Sequence, residues 1–448
     1  MVVYSRVVLG TKCLASRRDT KREGAVTRVP YKWGSDERLA VIKQHSVAKH
    51  EVLRAYLLEY FQTLVTPQQE ELRLTLVDGF AGGGVYQHET TREVVYGSPF
   101  VFLDAAREAE ELINRDRQKP LRLNADYFFV DVDQAALALL EKTLRLEGHG
   151  DRIGRDIRIL KGRFEAVAES IRVSVRSKNP RNGRSLFFLD QYGYKEVPTP
   201  LIRTIFAELP AAEVILTFNV GAFITYASDT PLTAGLLQQI GIPDVLQGRS
   251  IEDIKRNERD FRLYIQSCLY RGLVDACGAR YYTVFFIRTE GHGDYWLVHL
   301  SQHPRARDVM TRVHWARSNN FIHYGGAGID MFRVLGYSAD RDDAYTGQSA
   351  LGFCFDDPAA QASVSTLVEQ LPRVIHARQE GVSFGELFAA TCNTSPADSA
   401  KFKEALATLV AHKEIEIVSV DGTRRHSSNT ITDKDQLIPA RQSFFDFS

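Results

Sequence analysis

The 448-residue sequence has no excess of either charge sign: 56 lysines and arginines face 56 aspartates and glutamates. A surface coated in basic charge for indiscriminate nucleic-acid binding is thereby excluded, although local basic patches are not. Cysteine is scarce. Cys13, Cys268, Cys277, Cys354 and Cys392 lie far apart and form no CxxC pair or Cys/His cluster, so neither a disulfide framework nor a zinc site is encoded. No run of about 18 apolar residues exists, and no membrane-spanning helix is expected. The first residues lack the apolar core of a signal peptide, so reducing cytoplasm is the expected location. Glycine (31) and proline (15) are too few for a collagen-like or low-complexity chain. What remains is ordinary globular composition, 44% hydrophobic and 25% charged, at a length that fits two to three domains of roughly 100–200 residues.

Residues 1–32 carry eight basic side chains (Arg6, Lys12, Arg17, Arg18, Lys21, Arg22, Arg28, Lys32) against Asp19 and Glu23. They read as a basic arm, either solvated or phosphate-contacting. A helical pattern follows from about 45 to 64, with Leu53, Tyr56, Leu57, Tyr60, Phe61 and Leu64 close to 3.6 spacing. Five short apolar runs then appear at 72–80, 126–133, 156–162, 185–193 and 213–220, separated by helical patterns near 98–116, 133–147, 164–176 and 198–209. Near-continuous Val, Ile, Leu and Phe in short runs means strands buried on both faces, the property of parallel strands joined by covering helices. Runs at 280–289 and 294–303 flank a polar, glycine-containing turn and form a hairpin. The α/β domain is expected over 33–304.

Residues 305–363 read as an irregular connector, with Gly325-Gly326 and Gly336 among aromatic and charged residues. Helices are expected at 364–379, 383–391 and 396–412, then a strand at 414–420, a turn at 421–425 and a weak strand near 429–432. Three helices capped by a two-stranded hairpin make a winged helix-turn-helix over 364–435, leaving 436–448 as a tail.

The sharpest local feature is Asp78-Gly79-Phe80-Ala81-Gly82-Gly83-Gly84, directly after the first buried strand. There the chain must turn at once, and glycines permit both the turn and a close approach to a ligand. A tight turn without a ligand is the plain alternative; the position favours a ligand. The spacing is not GxGxxG, and no Lys-Ser/Thr pair makes a phosphate loop. Asp131 ends the next strand, where a carboxylate can accept hydrogen bonds from both ribose hydroxyls; the alternative is a solvent-facing strand end. Asp133 is read as the cap of the following helix. Turn and acid lie about 50 residues apart, against roughly 20 in a plain dinucleotide fold. The excess is a loop from Val85 to Gly97, a candidate lid, plus a helix opened by Ser98 as cap and Pro99. After the third strand come Gly162, Arg163 and Phe164; Phe164 packs either on a nucleoside ring or in the core. After the fourth come Asp190, Gln191, Tyr192, Gly193 and Tyr194, a carboxylate and two aromatics suited to a planar substrate, or else a structural Asp with packing tyrosines.

Basic groups need the same treatment. Arg172, Arg176, Lys178, Arg181 and Arg184 precede the fourth strand and belong to a solvated loop at its amino end. Arg305, Arg307, Arg312 and Arg317, interleaved with His314 and Trp315, could face a nucleic-acid groove. Arg424, Arg425 and His426 lie at the wing tip, where winged helices reach phosphate, although many bind protein instead. His45, His50 and His88 share no spacing that would make a metal site.

Five β/α units followed by a terminal hairpin resemble class I S-adenosylmethionine-dependent methyltransferases, whose seventh strand is antiparallel. The D-x-x-x-G-x-G turn fits the methionine end of that donor better than a pyrophosphate. The combination of Lys49-His50, Val77 to Gly84, Gly97-Ser98-Pro99, Phe128 to Asp133, Gly162, Leu189 to Tyr194 and Ile215 to Asn219 resembles the three-Cys-motif partner proteins, a prokaryotic family with that fold. The likeness runs from about Trp33 to Trp315, with a family-like winged helix after it. The family is named for a separate cysteine-bearing partner. The same segments are distantly similar to the ribosomal-RNA adenine-N6 methyltransferases. These resemblances imply S-adenosylmethionine as cofactor, held by Lys49, His50, Asp78, Phe80, Ala81, Gly82, Gly84, Asp131, Gly162, Arg163 and Phe164, with no metal. They imply Asp190 as acceptor of the target amine's hydrogens, with Tyr192 and Tyr194 stacking on the base. Nucleic-acid contacts are expected from Arg305, Arg307, Arg424 and Arg425. Gln191 stands where relatives have proline, which loosens the turn holding Asp190, and Arg163 stands where relatives tend to have an acid. The expected function is therefore methyl transfer to a base amine; the alternative is a catalytically silent binding module working with a separate three-Cys-motif protein.

Overall fold

The computed structural model describes residue 33 and residues 39–191, 195–219, 228–257, 261–289, 293–317, 322–323, 327–329, 353–378 and 380–440. The basic arm, Tyr192 and Tyr194, and Gly325, Gly326 and Gly336 lie outside these residues.

The five apolar runs become parallel strands because both of their faces have partners. They are β1 (Glu71–Asp78), β2 (Arg122–Asp131), β3 (Ile157–Lys161), β4 (Ser185–Leu189) and β5 (Ala212–Phe218). Successive side chains of a strand point to opposite faces. Phe128, Val130, Phe187, Leu189, Val214 and Leu216 enter one hydrophobic cluster. Their neighbours Tyr127, Phe129, Leu186, Phe188 and Ile215 enter another. The first is covered by α4 (Phe164–Lys178) and α5 (Thr199–Glu208), and the second by α1 (Gln44–Leu64), α2 (Ser98–Asn114) and α3 (Gln134–Leu146). From β5, helices α6 (Pro231–Ile240), α7 (Ile251–Asn257) and α8 (Phe261–Cys277) lead to the hairpin of β6 (Tyr281–Thr289) and β7 (Gly293–Ser301).

The strands pair in the order β3-β2-β1-β4-β5-β7-β6, with β7 antiparallel to both neighbours. This is the parallel sheet with an antiparallel terminal hairpin that the order of apolar runs anticipated. Two-residue strands Ile322–His323 and Phe353–Cys354 extend it at the β6 edge to nine strands. The candidate lid is instead an ordered hairpin, Val85–His88 with Val94–Tyr96, to which Val41–Ile42 adds in parallel. Gly97, not Ser98, occupies the cap position of α2, and its amide donates to Gly84 O at 2.8 Å. No described helix is long and apolar enough to cross a membrane.

The expected irregular connector holds a 13-residue helix, α9 (Pro304–Ala316). Its helical pattern was hidden because polar residues occupy its buried face: Arg307, Asp308, Thr311 and His314 are buried together with Val309, Met310 and Val313. The next helix, α10 (Asp357–His376), starts earlier than 364, where the Asp356 side chain accepts from Ala359 N at 2.9 Å. The winged helix-turn-helix continues with α11 (Phe384–Thr391) and α12 (Ser399–Ala411). Its sheet has three strands rather than two. The weak strand expected at 429–432 lies instead at Gln436–Pro439, between Val382–Ser383 and Ile415–Val418, so the expected tail begins with the sheet's central strand. A charged, turn-forming stretch delays it: Ser428–Thr430 forms a 3₁₀ turn, and Asp435 accepts the Thr432 amide.

Arg307 is the clearest correction. Expected on a nucleic-acid surface, it is 1% exposed, and its guanidinium donates to the carbonyls of Ser395 and Ala397 at the start of α12. A buried carbonyl that loses its donor costs the full desolvation penalty. Arg307→Ala is therefore expected to lower unfolding stability by about 2–4 kcal/mol, read as a reduced urea midpoint with circular dichroism; an unchanged midpoint would contradict the buried role.

Candidate active site at the carboxyl ends of the strands

β1, β2 and β4 end side by side, and backbone hydrogen bonds tie the turn after β1 to both neighbours. Gly79 N donates to Phe188 O and Ala81 N to Val130 O, both at 2.9 Å. The turn is thus fixed before any side chain acts. Gly82 (φ +57°) and Gly84 (φ +70°) take left-handed conformations that strain other residues. Gly82 also gives its amide to Asp131 Oδ2 at 2.9 Å. Asp131 Oδ1 accepts from Asp133 N at 2.8 Å, and Asp133 caps α3 through the Ala135 and Ala136 amides as anticipated. Burial pushes the Asp131 carboxyl up, while the Asp133 and Gly82 amides pull it back. Each carboxylate oxygen keeps a further lone pair.

Aromatic side chains pack directly against the glycines. A Cβ at Gly82 would lie 2.6 Å from the Tyr86 hydroxyl and 3.1 Å from the Trp33 ring, and one at Gly83 would run into the same indole. Trp33 meets Tyr86 edge to face at 5.2 Å. Sequence reading missed this residue, whose only signal was a lone tryptophan upstream of the first helix.

Asp78, at the end of β1, is fully buried. Its Oδ1 accepts from Phe80 N at 3.1 Å, while Oδ2 has no hydrogen-bond partner among the described residues. Burial pushes this carboxyl up to about 7, Ser98 and the Phe80 amide lower it, and the charges of Asp190 and Asp131 raise it further. Asp78 therefore feels the charges of both neighbouring acids.

Lys49 and His50 reach the crevice from α1, where both are buried. The resemblance implied that one of them holds a donor carboxylate. In the structure Lys49 Nζ donates to both oxygens of Asp190, at 2.5 and 2.6 Å. Burial alone would raise Asp190, but Lys49 outweighs it, aided by Thr217 and His50, and the carboxyl is held below its usual range. His50 is driven down to about 4 by burial, against the pull of Asp190 and with a push from Lys49, so its ring is neutral at pH 7. Its Nδ1 has no partner among the described residues.

Gln191, expected to loosen the turn after Asp190, has its side-chain oxygen engaged. Buried at 3% exposure, its Oε1 accepts the amides of Glu196 and Val197 at 3.0 and 3.1 Å. The side chain thus ties both ends of the turn after Asp190, a constraint that proline would otherwise supply. Tyr192 and Tyr194 lie within that turn, outside the described residues.

The remaining candidates divide. Gly162 N donates to Asp131 O at 2.9 Å, placing the end of β3 beside the crevice. Ala81 is buried, and Phe80 packs against the first core cluster. Phe164 is a core residue, edge to face with Phe187 at 6.2 Å, and Arg163 is exposed at the start of α4. The basic side chains are not gathered here. Arg305 pairs with Asp433 at 3.5 Å, Arg424 with Glu416 at 3.0 Å, and Arg425 with Asp435 at 3.4 Å. Arg312 and Arg317 pair with Glu59 and Glu51 of α1.

Residues 336–422 match the family model described as the GMT-like wHTH domain. No curated protein sequence matches the chain. Among solved structures it is similar to the bifunctional kinase-methyltransferase WbdD, at 11% identity and a TM-score of 0.30 over 57% of this chain and 39% of that one. It is also similar to protein LPL1258 from Legionella pneumophila (13% identity, TM-score 0.31, 59% and 89% covered). A third is an rRNA methylase from Streptococcus thermophilus (11%, 0.25, 56% and 93%). The chain spans about two fifths of the length of WbdD. At this degree of superposition these likenesses carry no argument, and the fold rests on the strand order itself.

Asp78 makes stability depend on pH in a defined direction. Its folded value, about 7, lies above the ordinary carboxylate value of 3.8. The folded state therefore holds the extra proton between pH 4 and 7, and stability falls as pH rises through that window, by about 1.4 kcal/mol per unit at most. Asp78→Asn, a neutral isostere, is expected to gain stability relative to the parent as pH rises from 4 to 8. Urea unfolding at both pH values checks this, and parallel pH profiles would contradict it.

Proposed function

We propose that this chain transfers a methyl group from S-adenosylmethionine to an exocyclic amine of a nucleobase, with Asp190 as hydrogen acceptor. One observation supports the reading: the glycine turn, Asp78, Asp131 and Asp190 all stand at the carboxyl ends of neighbouring parallel strands, with the turn hydrogen-bonded to Asp131 and to the end of β4, where open α/β sheets bind ligands. The residues suit that donor. Asp131 retains acceptor capacity for ribose hydroxyls beyond its two amides. Asp78 Oδ2 and His50 Nδ1 are buried polar atoms without partners among the described residues, and such atoms call for a ligand or water. Lys49 commits two of its three N–H groups to Asp190 and has one left for a carboxylate.

When bound, the donor supplies a sulfonium methyl already activated for displacement, so the protein's task is alignment and exclusion of water. Asp190 stays ionised beside Lys49. It can accept the hydrogens of a target amine and so free the nitrogen lone pair. Tyr192 and Tyr194, on the turn that Gln191 closes, would stack on the base, each contact worth about 1–3 kcal/mol. A base inside a duplex would have to be flipped out.

A second reading is a catalytically silent module that binds the donor and works with a separate cysteine-bearing partner. Arg163 and the internal pairing of Arg305, Arg424 and Arg425 favour it, and the Gln191 clamp on the catalytic turn speaks against it. Incubation with methyl-labelled donor and separate RNA, DNA and protein pools distinguishes the two. Label is expected in a nucleic-acid pool. Asp190→Ala is expected to cut transfer by about 100-fold or more with donor affinity nearly unchanged, whereas Asp131→Ala is expected to weaken donor binding roughly tenfold. Full turnover in Asp190→Ala would reject its role. Tight donor binding with no label in any pool would select the silent reading.

A further inference from the structure

We infer that the helix-turn-helix of the C-terminal domain is an intramolecular brace, docked on α9 and β6 through the end that would otherwise read base edges, and that it does not read duplex nucleic acid. The inference does not rest on the proposed methyl transfer. A helix-turn-helix reads sequence with the N-terminal residues of its second helix, laid in the major groove. Here that helix is α12, and its first turn is occupied. Ser399 gives its amide and hydroxyl to the two oxygens of Asp308, at 2.7 and 2.8 Å. Lys401, the first cation of the helix, lies with Nζ 3.9 Å over the Trp315 ring and pairs with Asp398 at 3.3 Å.

The turn before α12 is committed as well. Arg307 takes the carbonyls of Ser395 and Ala397, and Trp315 Nε1 donates to Pro396 O at 2.9 Å. Asn393 bridges to the sheet, with Nδ2 donating to Arg280 O at 2.8 Å and Oδ1 accepting Tyr282 N at 3.1 Å. Three consecutive carbonyls, a helix N-terminus and an asparagine on one turn thus all find partners on the α/β domain. Arg307, Asp308 and Trp315 of α9 supply most of them. A DNA groove would have to displace a buried guanidinium and its carbonyls, a cost that surface phosphate contacts do not offset. Of the wing cations, exposed Arg424 lies beside Glu416 and half-buried Arg425 beside Asp435.

The test combines two measurements on the full chain. Hydrogen exchange should show slow exchange over 395–402 in the parent. Asp308→Ala combined with Trp315→Ala should release those amides while α4 keeps its protection. Fluorescence anisotropy with mixed-sequence DNA and RNA duplexes should show either no binding or binding that changes less than twofold in Lys401→Ala and in Lys403→Glu, a substitution farther along α12. Fast exchange over 395–402 in the parent would overturn the brace. So would a tenfold or greater loss of duplex affinity in either lysine variant whose exchange pattern matches the parent.

Discussion

A buried ammonium must be paired, and Lys49 is paired with a carboxylate 141 residues away. With side-chain exposures of 7% and 18%, neither group of the Lys49–Asp190 pair can be left alone without an uncompensated charge inside the protein. Closing that distance requires α1 to bring its first turns to the end of β4. The pair also sorts the acids of the crevice. Asp190 is held ionised by its cation, while Asp78, buried without one, is pushed toward neutrality. Two carboxyls driven in opposite directions within one cleft are a recurring way to assign acid and base roles.

The position of α1 depends in turn on α9. Arg312 of α9 and Arg317 just after it pair with Glu59 and Glu51 of α1. Arg307, Asp308 and Trp315 of α9 hold the helix-turn-helix. The polar side chains of α9 are therefore engaged on two neighbours, which is why a helix with so much charge sits against the core. Exposed pairs such as Arg317–Glu51 contribute little each. The buried guanidinium of Arg307 carries the junction, because its removal would leave carbonyls without donors.

Much of the sheet was legible in the sequence because its strands bury both faces, and continuous apolar runs betray that directly. The link between the glycine turn and Asp131 was legible for a similar reason: both depend on where parallel strands end. Pairings between distant segments were not legible. Nothing local marks Lys49 as the partner of Asp190, Trp33 as the neighbour of Gly82, or Arg307 as the ligand of carbonyls near 396. Charge misled most at α9, where Arg307 looks solvent-facing by type and is interior by position. The wing strand Gln436–Pro439 escaped because it is short, ends in proline and comes after a polar stretch; only its pairing with two other strands defines it.

Gln191 shows how a constraint can change its nature while keeping its place. A proline ring stiffens a turn by covalent means, and that stiffness persists whatever the surroundings do. Two hydrogen bonds accepted by an amide side chain stiffen it only while they last. Gln191 is therefore joined to Glu196 and Val197 by a latch, not by a weld. A latch gives way to whatever competes for its oxygen, with no covalent bond broken.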